Sequence, residues 1–304
     1  MKLDKNLMAE VALLYYNQGL TQQEIAKILN LTRQTVSKLL TVANNEGVVE
    51  IKIHNPETTK RELETEFKSK FNVNAIIATA SADNDVLRSL STTQAAINYL
   101  TPILLKGNLK IAVSWGRSVQ ALVKQFPSTA TTNNIVFPLF GSTEHEQSYF
   151  LPNELSREFA NKLDAHVKYA WFPYRPDNAS DYELFKRTAY YESMQKFWSG
   201  FDIALLGIGN NTAFKLLNPT YKRLDEKGLI VGDIATHFFT KNGEFIYNDD
   251  YTLRISVNSL KNAGEKIALA YGNDKVEAIY GALKTGVIDT LITDEYTAKA
   301  ILAI

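Results

Sequence analysis

Two helix-start signals lie only eleven residues apart near the amino terminus, and this spacing constrains the fold of the first segment. Thr21 and Glu24 form a capping-box pattern, in which each side chain satisfies a backbone N–H at the start of a helix. Thr32 is a second cap residue, and Asn30 tolerates the left-handed backbone conformation that ends helices. The pattern predicts two short helices joined by a tight turn.

The outer face of the second helix carries an unusual set of side chains. Apolar residues recur at helical spacing, at Val36, Leu39 and Leu40, and the other positions hold donors and acceptors that suit base edges and phosphates. No acidic residue occurs between Leu31 and Asn45. We therefore predict a DNA-binding helix-turn-helix. The residues predicted to contact DNA are Thr21, Gln22, Thr32, Arg33, Gln34, Thr35, Ser37 and Lys38.

A third helix is expected before this pair, over roughly residues 3–18, and a strand is expected after it, over residues 49–54. The apolar residues predicted to face the shared core are Leu7, Val11, Leu14, Tyr15, Ile25, Ala26, Ile28 and Leu29. Gly47 is expected to end the second helix of the pair. A helical hairpin with a solvated polar face is the alternative, but three helices with paired caps favour a DNA-binding domain over residues 1–55.

Cysteine is absent from the 304 residues, which excludes disulfides, thiolate catalysis and Cys-ligated metal centres. No apolar run is long enough for a membrane span and no secretory signal is evident, so we expect a cytoplasmic protein without a membrane partner. Residues 1–60 hold seven basic and six acidic side chains, so one such domain would bind DNA weakly. We therefore expect a homo-oligomer, in which several domains bind a repeated or palindromic site.

Short apolar strands alternate with helices beyond Pro56. The segment after it, "TKRELETEFKSKF", is predicted to be a charged helix and a linker, with Leu63, Phe67 and Phe71 on one side. The predicted strands are "VNAIIATA", "LKIAVSW", "NIVFPLF", "HVKYAWF", "DIALLGIG", "EKIALAYG" and "DTLITD". The predicted helices are one over about residues 85–105, others starting at Ser118, Asn153 and Lys275, one ending near Trp198, and a closing helix. This alternation predicts an α/β domain over residues 56–304 with a doubly wound, mostly parallel sheet.

The segments that follow the strands are the candidate binding loops, because ligands bind at the carboxyl ends of the strands in such sheets. "SWGRS", Ser114 to Ser118, offers a glycine, a guanidinium, a hydroxyl and the free N–H groups of a helix start, which suits a phosphate. "LLGIG" adds Gly207 and Gly209, and Lys275 starts another helix after a strand. Each turn alone is more often an ordinary strand-to-helix connection, but three together favour an anion site. Asp233 either accepts hydrogen bonds from sugar hydroxyls or caps a turn.

Taken together, the amino-terminal helices, "SWGRS", "LLGIG", "VGDIATHFF" and "LITDEYTAKAIL" resemble the SorC-type bacterial transcriptional regulators, a group that includes the deoxyribonucleoside regulators. The resemblance spans nearly the whole chain. It implies an operator-binding helix-turn-helix and a phosphosugar-sensing domain similar in fold to glucosamine-6-phosphate deaminase and ribose-5-phosphate isomerase. It also implies tetramers on palindromic operators. The chain would then be a transcriptional regulator of a carbohydrate-utilisation operon and not an enzyme, with no metal or cofactor.

The resemblance also implies which residues bind the phosphorylated sugar or polyol. Some deoxyribose-phosphate sensors of the family have a lysine, able to form a Schiff base, after the strand that corresponds to "IVFPLFGS"; here Phe140 stands in its place. Covalent capture at that position is excluded, so we expect reversible, noncovalent binding. The predicted effector-binding residues are Ser114, Gly116, Arg117, Ser118, Gly141, Ser142, Gly207, Gly209, Asp233 and Lys275.

Two other functional classes remain as alternatives. One is a sugar-phosphate isomerase or deaminase-like enzyme with an appended DNA-binding domain, since fold alone does not decide function. The four histidines are scattered in the sequence, and only His145 stands beside carboxylates, in "STEHEQ", which is more often a solvated loop than a catalytic site. The other alternative is a DNA-binding protein that recruits a second protein, which the phosphate-suited turns disfavour.

Overall fold

The computed structural model describes residues 5–49, 56–78, 84–143, 151–210, 228–246, 251–262 and 264–304. The chain divides into two units, Met1–Asn55 and Pro56–Ile304. The helices of the first unit are α1 (Lys5–Ala12), which continues as a π-helical turn (Leu13–Asn17), α2 (Gln22–Ile28) and α3 (Arg33–Asn45). None of the described helices is long and apolar enough to cross a lipid bilayer.

The capping signals form as the sequence predicts. The Thr21 hydroxyl accepts from the Glu24 N–H at 3.3 Å, and the Glu24 carboxylate accepts from the Thr21 N–H at 2.8 Å. Thr32 caps α3 by accepting from the Thr35 N–H at 3.1 Å. Asn30 between the helices has a φ of 52°, and Gly47 after α3 has a φ of 73°. The restart of the helix is thus fixed by local hydrogen bonds and one left-handed residue.

The core of the first unit differs in part from the predicted set. Ile25, Val36 and Leu39 are fully buried, as are Met8 and Val11. The helix widens to π geometry after Ala12, and the residues of this turn no longer follow the 3.6-residue period. Leu14 and Tyr15, which were predicted to face the core, are therefore only partly buried. Ile28 was predicted to face the core and is 59% exposed. At about 100° per residue it falls on the flank of the face centred on Leu29. The predicted strand after Val49 lies outside the described residues.

The second unit is built from a parallel sheet with helices on both faces. Its strands are β1 (Asn74–Ala78), β2 (Lys110–Val113), β3 (Ile135–Pro138), β4 (His166–Val167), β5 (Ile203–Asn210), β6 (Ile230–Ile234), β7 (His237–Thr240), β8 (Glu265–Leu269) and β9 (Thr290–Asp294). Its helices are α4 (Pro56–Phe71), α5 (Asp85–Leu104), α6 (Arg117–Gln125), α7 (Pro152–Lys162), α8 (Ala179–Lys186), α9 (Ala189–Trp198), α10 (Val257–Asn262), α11 (Val276–Lys284) and α12 (Glu295–Leu302), with a 3₁₀ turn at Asn273–Lys275.

The strand order is β1-β9-β8-β5-β2-β3-β4, and all of these strands pair in parallel. This arrangement confirms the predicted doubly wound α/β fold. From β2 the next strands, β3 and β4, are added toward one edge of the sheet, whereas from β5 the strands β8 and β9 are added toward the other edge. The loops after the neighbouring strands β2 and β5 therefore diverge and open a crevice at the carboxyl edge of the sheet. β6 and β7 form an antiparallel hairpin on the end of β5, with Gly209 opposite Asp233. The predicted strands do not include either of these two.

Two further predictions need correction. The segment after Pro56 forms a helix as predicted, α4, but its predicted role as a linker is wrong, because Leu63 and Phe67 are buried in the core of the second unit. The strand predicted over "HVKYAWF" is shorter than expected: β4, at the edge of the sheet, pairs with β3 over two residues only. The helix predicted to end near Trp198 is α9, which ends at that residue; α8 before it is not predicted, and α9 starts anew because Thr188 accepts a hydrogen bond from the Tyr191 N–H.

Candidate functional site

The candidate DNA-binding surface of the first unit is the outer face of α3. Arg33, Gln34, Ser37 and Lys38 are all exposed there. The three threonines predicted to contact DNA form hydrogen bonds within the protein. The hydroxyls of Thr21, Thr32 and Thr35 take part in the caps at the starts of α2 and α3. Gln22, in the first turn of α2, is partly buried. The exposed side chains include one guanidinium, one amide and one ammonium, the groups that contact guanine, adenine and phosphate.

The candidate effector site of the second unit is a cavity of about 370 Å³ at the carboxyl edge of the sheet. It lies where the starts of α5 and α6 meet the segment that follows β8. Its lining residues are Asp85, Ser89, Arg117, Ser118, Tyr271, Gly272, Asp274 and Lys275. Sequence reasoning singled out three of these, Arg117, Ser118 and Lys275, and the structure brings them together.

One wall of this cavity is cationic. Gly116, with a φ of 123°, caps α6 and leads into Arg117, whose side chain is exposed. The Lys275 ammonium donates to the carbonyl of Ile208 at 2.9 Å. Burial, and secondarily the positive charge of Arg117, lowers the pKa of Lys275 below its ordinary value. An anion between these two cations would relieve their repulsion and accept from the free N–H groups at the start of α6.

Asp233 is a buried carboxyl group, and one of its two oxygens accepts no hydrogen bond from the described residues. Its side chain is 2% exposed, and Oδ2 accepts from the Thr236 N–H at 3.2 Å. Oδ1 is buried and has no hydrogen-bond partner in the described part of the chain. Burial raises the pKa of Asp233 from 3.8 to about 7, although Thr236, Lys275 and Arg254 favour the charged form. Asp233 lies outside the set of residues that line the cavity, but a hydroxyl group brought to Oδ1 would satisfy it, which suits the carboxyl to a polyhydroxyl ligand.

Gly207, and Gly209 through its neighbour Gly232, have a packing role. A Cβ on Gly207 would lie 2.8 Å from the Trp115 carbonyl oxygen, and one on Gly232 would lie 2.5 Å from the Gly209 oxygen. These positions let neighbouring backbone segments approach closely. Ser118 is also engaged, because its hydroxyl donates to the carbonyl of Leu269 at 2.7 Å.

Gly141 and Ser142 lie outside the set of residues that line the cavity. The Gly141 N–H donates to the carbonyl of Leu253, and the Ser142 hydroxyl donates to the carbonyl of Ala170 at 3.1 Å. Phe140, just before them, is fully buried, with its ring centroid 4.8 Å from that of Trp115. Ser114 is fully buried as well, and its hydroxyl has no partner among the described residues.

Sequence reasoning missed five residues of the cavity. Asp85 and Ser89 come from the start of α5, and Tyr271, Gly272 and Asp274 follow β8. The Ser89 and Tyr271 hydroxyls are hydrogen-bonded at 2.7 Å, which ties these two segments together. A signal was present in the sequence, since both segments follow strands of the same parallel sheet and their ends meet at the same edge.

No histidine of the described residues lines this cavity. His237 is buried and hydrogen-bonded to the carbonyl of Ile255 at 2.8 Å, and burial lowers its pKa to about 3. His166 is exposed on β4, while His54 and His145 lie outside the described residues. Within the described ranges, no group of three or more His, Asp or Glu residues is arranged to hold a metal ion.

Known proteins resemble the chain over almost its whole length. Residues 55–303 match the Sugar-bind family, described as "Putative sugar-binding domain", and residues 8–45 match region 4 of sigma-70. The chain is 29% identical to the Sorbitol operon regulator of Klebsiella pneumoniae, with 98% of each covered. It is 27% identical to the Deoxyribonucleoside regulator of Bacillus subtilis, covering 98% of this chain and 97% of that protein. The crystal structure of full-length SorC from Klebsiella pneumoniae matches with a TM-score of 0.74 and 28% identity, covering 98% of this chain and 99% of that one.

Proposed function

The chain belongs to the SorC-type family of transcriptional regulators, and on that premise we propose that it controls a carbohydrate-utilisation operon by binding a phosphorylated sugar or polyol noncovalently. The relatives are named as regulators of transcription, one of sorbitol and one of deoxyribonucleoside genes. The chain is accordingly a DNA-binding regulator with a sugar-binding domain, and not an enzyme.

The observation that carries the phosphate part of this proposal is the cationic wall of the cavity. Arg117 begins α6 directly after Gly116, and Lys275 lies close enough to Arg117 for the two charges to repel. The carboxylates of Asp85 and Asp274 line the same cavity, but two cations and the positive end of a helix on one wall favour a phosphate over a neutral sugar. Arg117 is the residue expected to make the charge-assisted contact with the phosphate.

The sugar part of the proposal rests on Asp233. Its unpartnered Oδ1 belongs to a strand that pairs with β5, and Lys275 lies within electrostatic reach. We assign to this oxygen a hydroxyl group of the sugar or polyol. Binding is expected to be noncovalent because Phe140 supplies no amine for a Schiff base and the Lys275 ammonium is held by the Ile208 carbonyl.

The DNA part of the proposal rests on α3. Arg33 and Gln34 occupy the first turn, and both are exposed, which is where recognition helices contact base edges. Ser37 and Lys38 follow on the next turn and suit phosphates. Because residues 1–60 carry almost no net charge, we propose that several domains bind DNA together, and the family resemblance leads us to propose a tetramer on a palindromic operator.

A ligand panel tests this function against its alternatives. The full chain is incubated with phosphorylated pentoses, hexoses and polyols and with their unphosphorylated counterparts, and both turnover and thermal shift are measured. We expect a thermal shift from one class of phosphorylated compound, no turnover, and little shift from the same compound without its phosphate. Turnover would indicate an enzyme, and the absence of any shift would contradict the sensor.

A further inference from the structure

A buried ion pair lies directly behind the cavity, at the start of α5. The Arg88 side chain is 2% exposed, and its Nε lies 3.5 Å from Oδ1 of Asp294, which is fully buried at the end of β9. The Nη1 of the same guanidinium donates to the carboxylate of Asp85 at 3.2 Å. Since Asp85 lines the cavity, Arg88 connects Asp294 to the wall that α5 contributes.

Asp294 is also connected to the opposite wall, through Thr297. Its Oδ2 accepts the hydroxyl proton of Thr297, and its Oδ1 accepts from two backbone N–H groups at the start of α12, those of Tyr296 and Thr297. A hydroxyl has one proton to donate, so the Thr297 oxygen is left as an acceptor. It accepts from the backbone N–H of Gly272 at 2.8 Å. The hydrogen bonds to Oδ1 are sufficient to cap α12. The hydrogen bond that the Gly272 N–H donates to Thr297 is not part of this cap, and it fixes the position of Gly272.

Gly272 precedes the turn that carries the cationic wall. Its φ is 106°, a conformation that other residues rarely adopt, and the 3₁₀ turn Asn273–Lys275 follows immediately. The Lys275 N–H donates back to the Gly272 carbonyl at 3.0 Å. The Asn210 amide donates to the carboxylate of Asp274 in the same turn at 2.9 Å. A displacement of Gly272 would therefore displace the Lys275 ammonium.

We propose that Asp294 and Thr297, in the motif "LITDEYTAKAIL", are positioning residues for effector binding that hold the Gly272 turn, and with it Lys275, against the α5 wall. Both residues are fully buried and neither lines the cavity, so they act through Gly272 and Arg88 without touching the ligand. This inference rests on the proposed function, since it requires an anion at Lys275. It gives a role to a motif that carries the family resemblance and to which sequence reasoning assigned none.

Calorimetric titration of the full chain with inorganic phosphate, the minimal probe of the cationic wall, tests this role. Thr297→Val keeps the shape of the side chain and removes both of its hydrogen bonds, so we expect phosphate affinity to fall about fivefold to tenfold. Thr297→Ser keeps the hydroxyl and should restore affinity to within about twofold of wild type. The matched control is Thr293→Val, because Thr293 is a fully buried β9 threonine whose hydroxyl has no partner among the described residues. This control should leave affinity unchanged.

Thermal unfolding of the same variants separates positioning from a structural cap. The inference would be overturned if Thr297→Val had a lower melting temperature but bound phosphate as tightly as the wild type. It would also be overturned if Thr297→Ser bound phosphate as weakly as Thr297→Val. If Thr297→Val does not fold, Thr297→Ala is measured in its place, with the same expected loss. A wild-type protein that binds neither phosphate nor any sugar phosphate would instead refute the proposed function, and the positioning role with it.

Discussion

Asp233→Asn is expected to make the protein more stable above neutral pH while weakening sugar binding. Burial raises the pKa of Asp233 from 3.8 to about 7, because the charged carboxylate has lost its water and Oδ1 gains no hydrogen bond among the described residues. At about 1.4 kcal/mol per pH unit, keeping this carboxylate charged reduces the free energy of unfolding by about 4 kcal/mol. Asparagine has nearly the same shape and carries no charge.

The sign of the pH dependence follows from the raised pKa. Below about pH 4 the carboxyl is protonated in the folded and the unfolded chain, so it contributes nothing. Between about pH 4 and pH 7 the unfolded chain loses this proton first, so stability falls as the pH rises, and the loss is complete above about pH 8. His237 acts in the opposite direction, since burial lowers its pKa to about 3 and its contribution is lost as the pH falls. Because His237 is present in both proteins, its effect cancels in the difference.

Urea denaturation followed by tryptophan fluorescence measures this difference in the full chain. All three tryptophans, Trp115, Trp171 and Trp198, belong to the second unit and therefore report its unfolding. We expect variant and wild type to be equally stable near pH 4 and the variant to be more stable by up to about 4 kcal/mol at pH 8. The same variant should bind the sugar phosphate about tenfold more weakly. If the free energies of unfolding of the two proteins differed by the same amount at every pH from 4 to 8, burial would not raise the pKa of Asp233 as argued.

Three further substitutions test the other assignments. Arg33→Ala should weaken DNA binding by about 1 to 3 kcal/mol per recognition helix in gel-shift titrations while leaving sugar-phosphate binding intact; unchanged DNA affinity would be evidence against α3 as the recognition helix. Arg117→Ala should lower sugar-phosphate affinity about tenfold to a hundredfold in calorimetry, and equal discrimination between phosphorylated and free sugar by both proteins would place the phosphate elsewhere. Thr21→Ala should destabilise α2 by about 1 kcal/mol in amide hydrogen exchange, and unchanged protection would show that the capping box is dispensable.

The first unit was predictable because its signals are local. The capping box at Thr21, the cap at Thr32 and the turn at Asn30 act within four residues of chain, and each appears in the structure as predicted. The prediction that Ile28 faces the core was wrong because burial on the flank of a short helix depends on nonlocal contacts, namely on what packs against the helix. The π-helical turn after Ala12 changes the helical period without leaving a mark in the sequence.

The cavity was only partly predictable because it depends on strand order. Arg117 and Lys275 follow strands directly, so the general rule for parallel sheets identified them. Asp85 joins them only because β1, β9 and β8 are neighbours, and the pairing of β1 with β9 joins segments more than 200 residues apart, which no local pattern reveals. Gly141 and Ser142 also follow a strand, but backbone hydrogen bonds hold them outside the lining of the cavity.

Coupling between sugar-phosphate binding and DNA binding is tested most directly by titrating the full chain onto a duplex that it has selected from a random pool. The titration is run with and without the sugar phosphate that gives the largest thermal shift. We expect the sugar phosphate to change the DNA affinity by some factor, and DNA to change the sugar-phosphate affinity by the same factor. Arg117→Ala should need about tenfold more sugar phosphate to produce the same change. Equal DNA affinity of the wild type with and without saturating sugar phosphate would contradict regulation by this ligand.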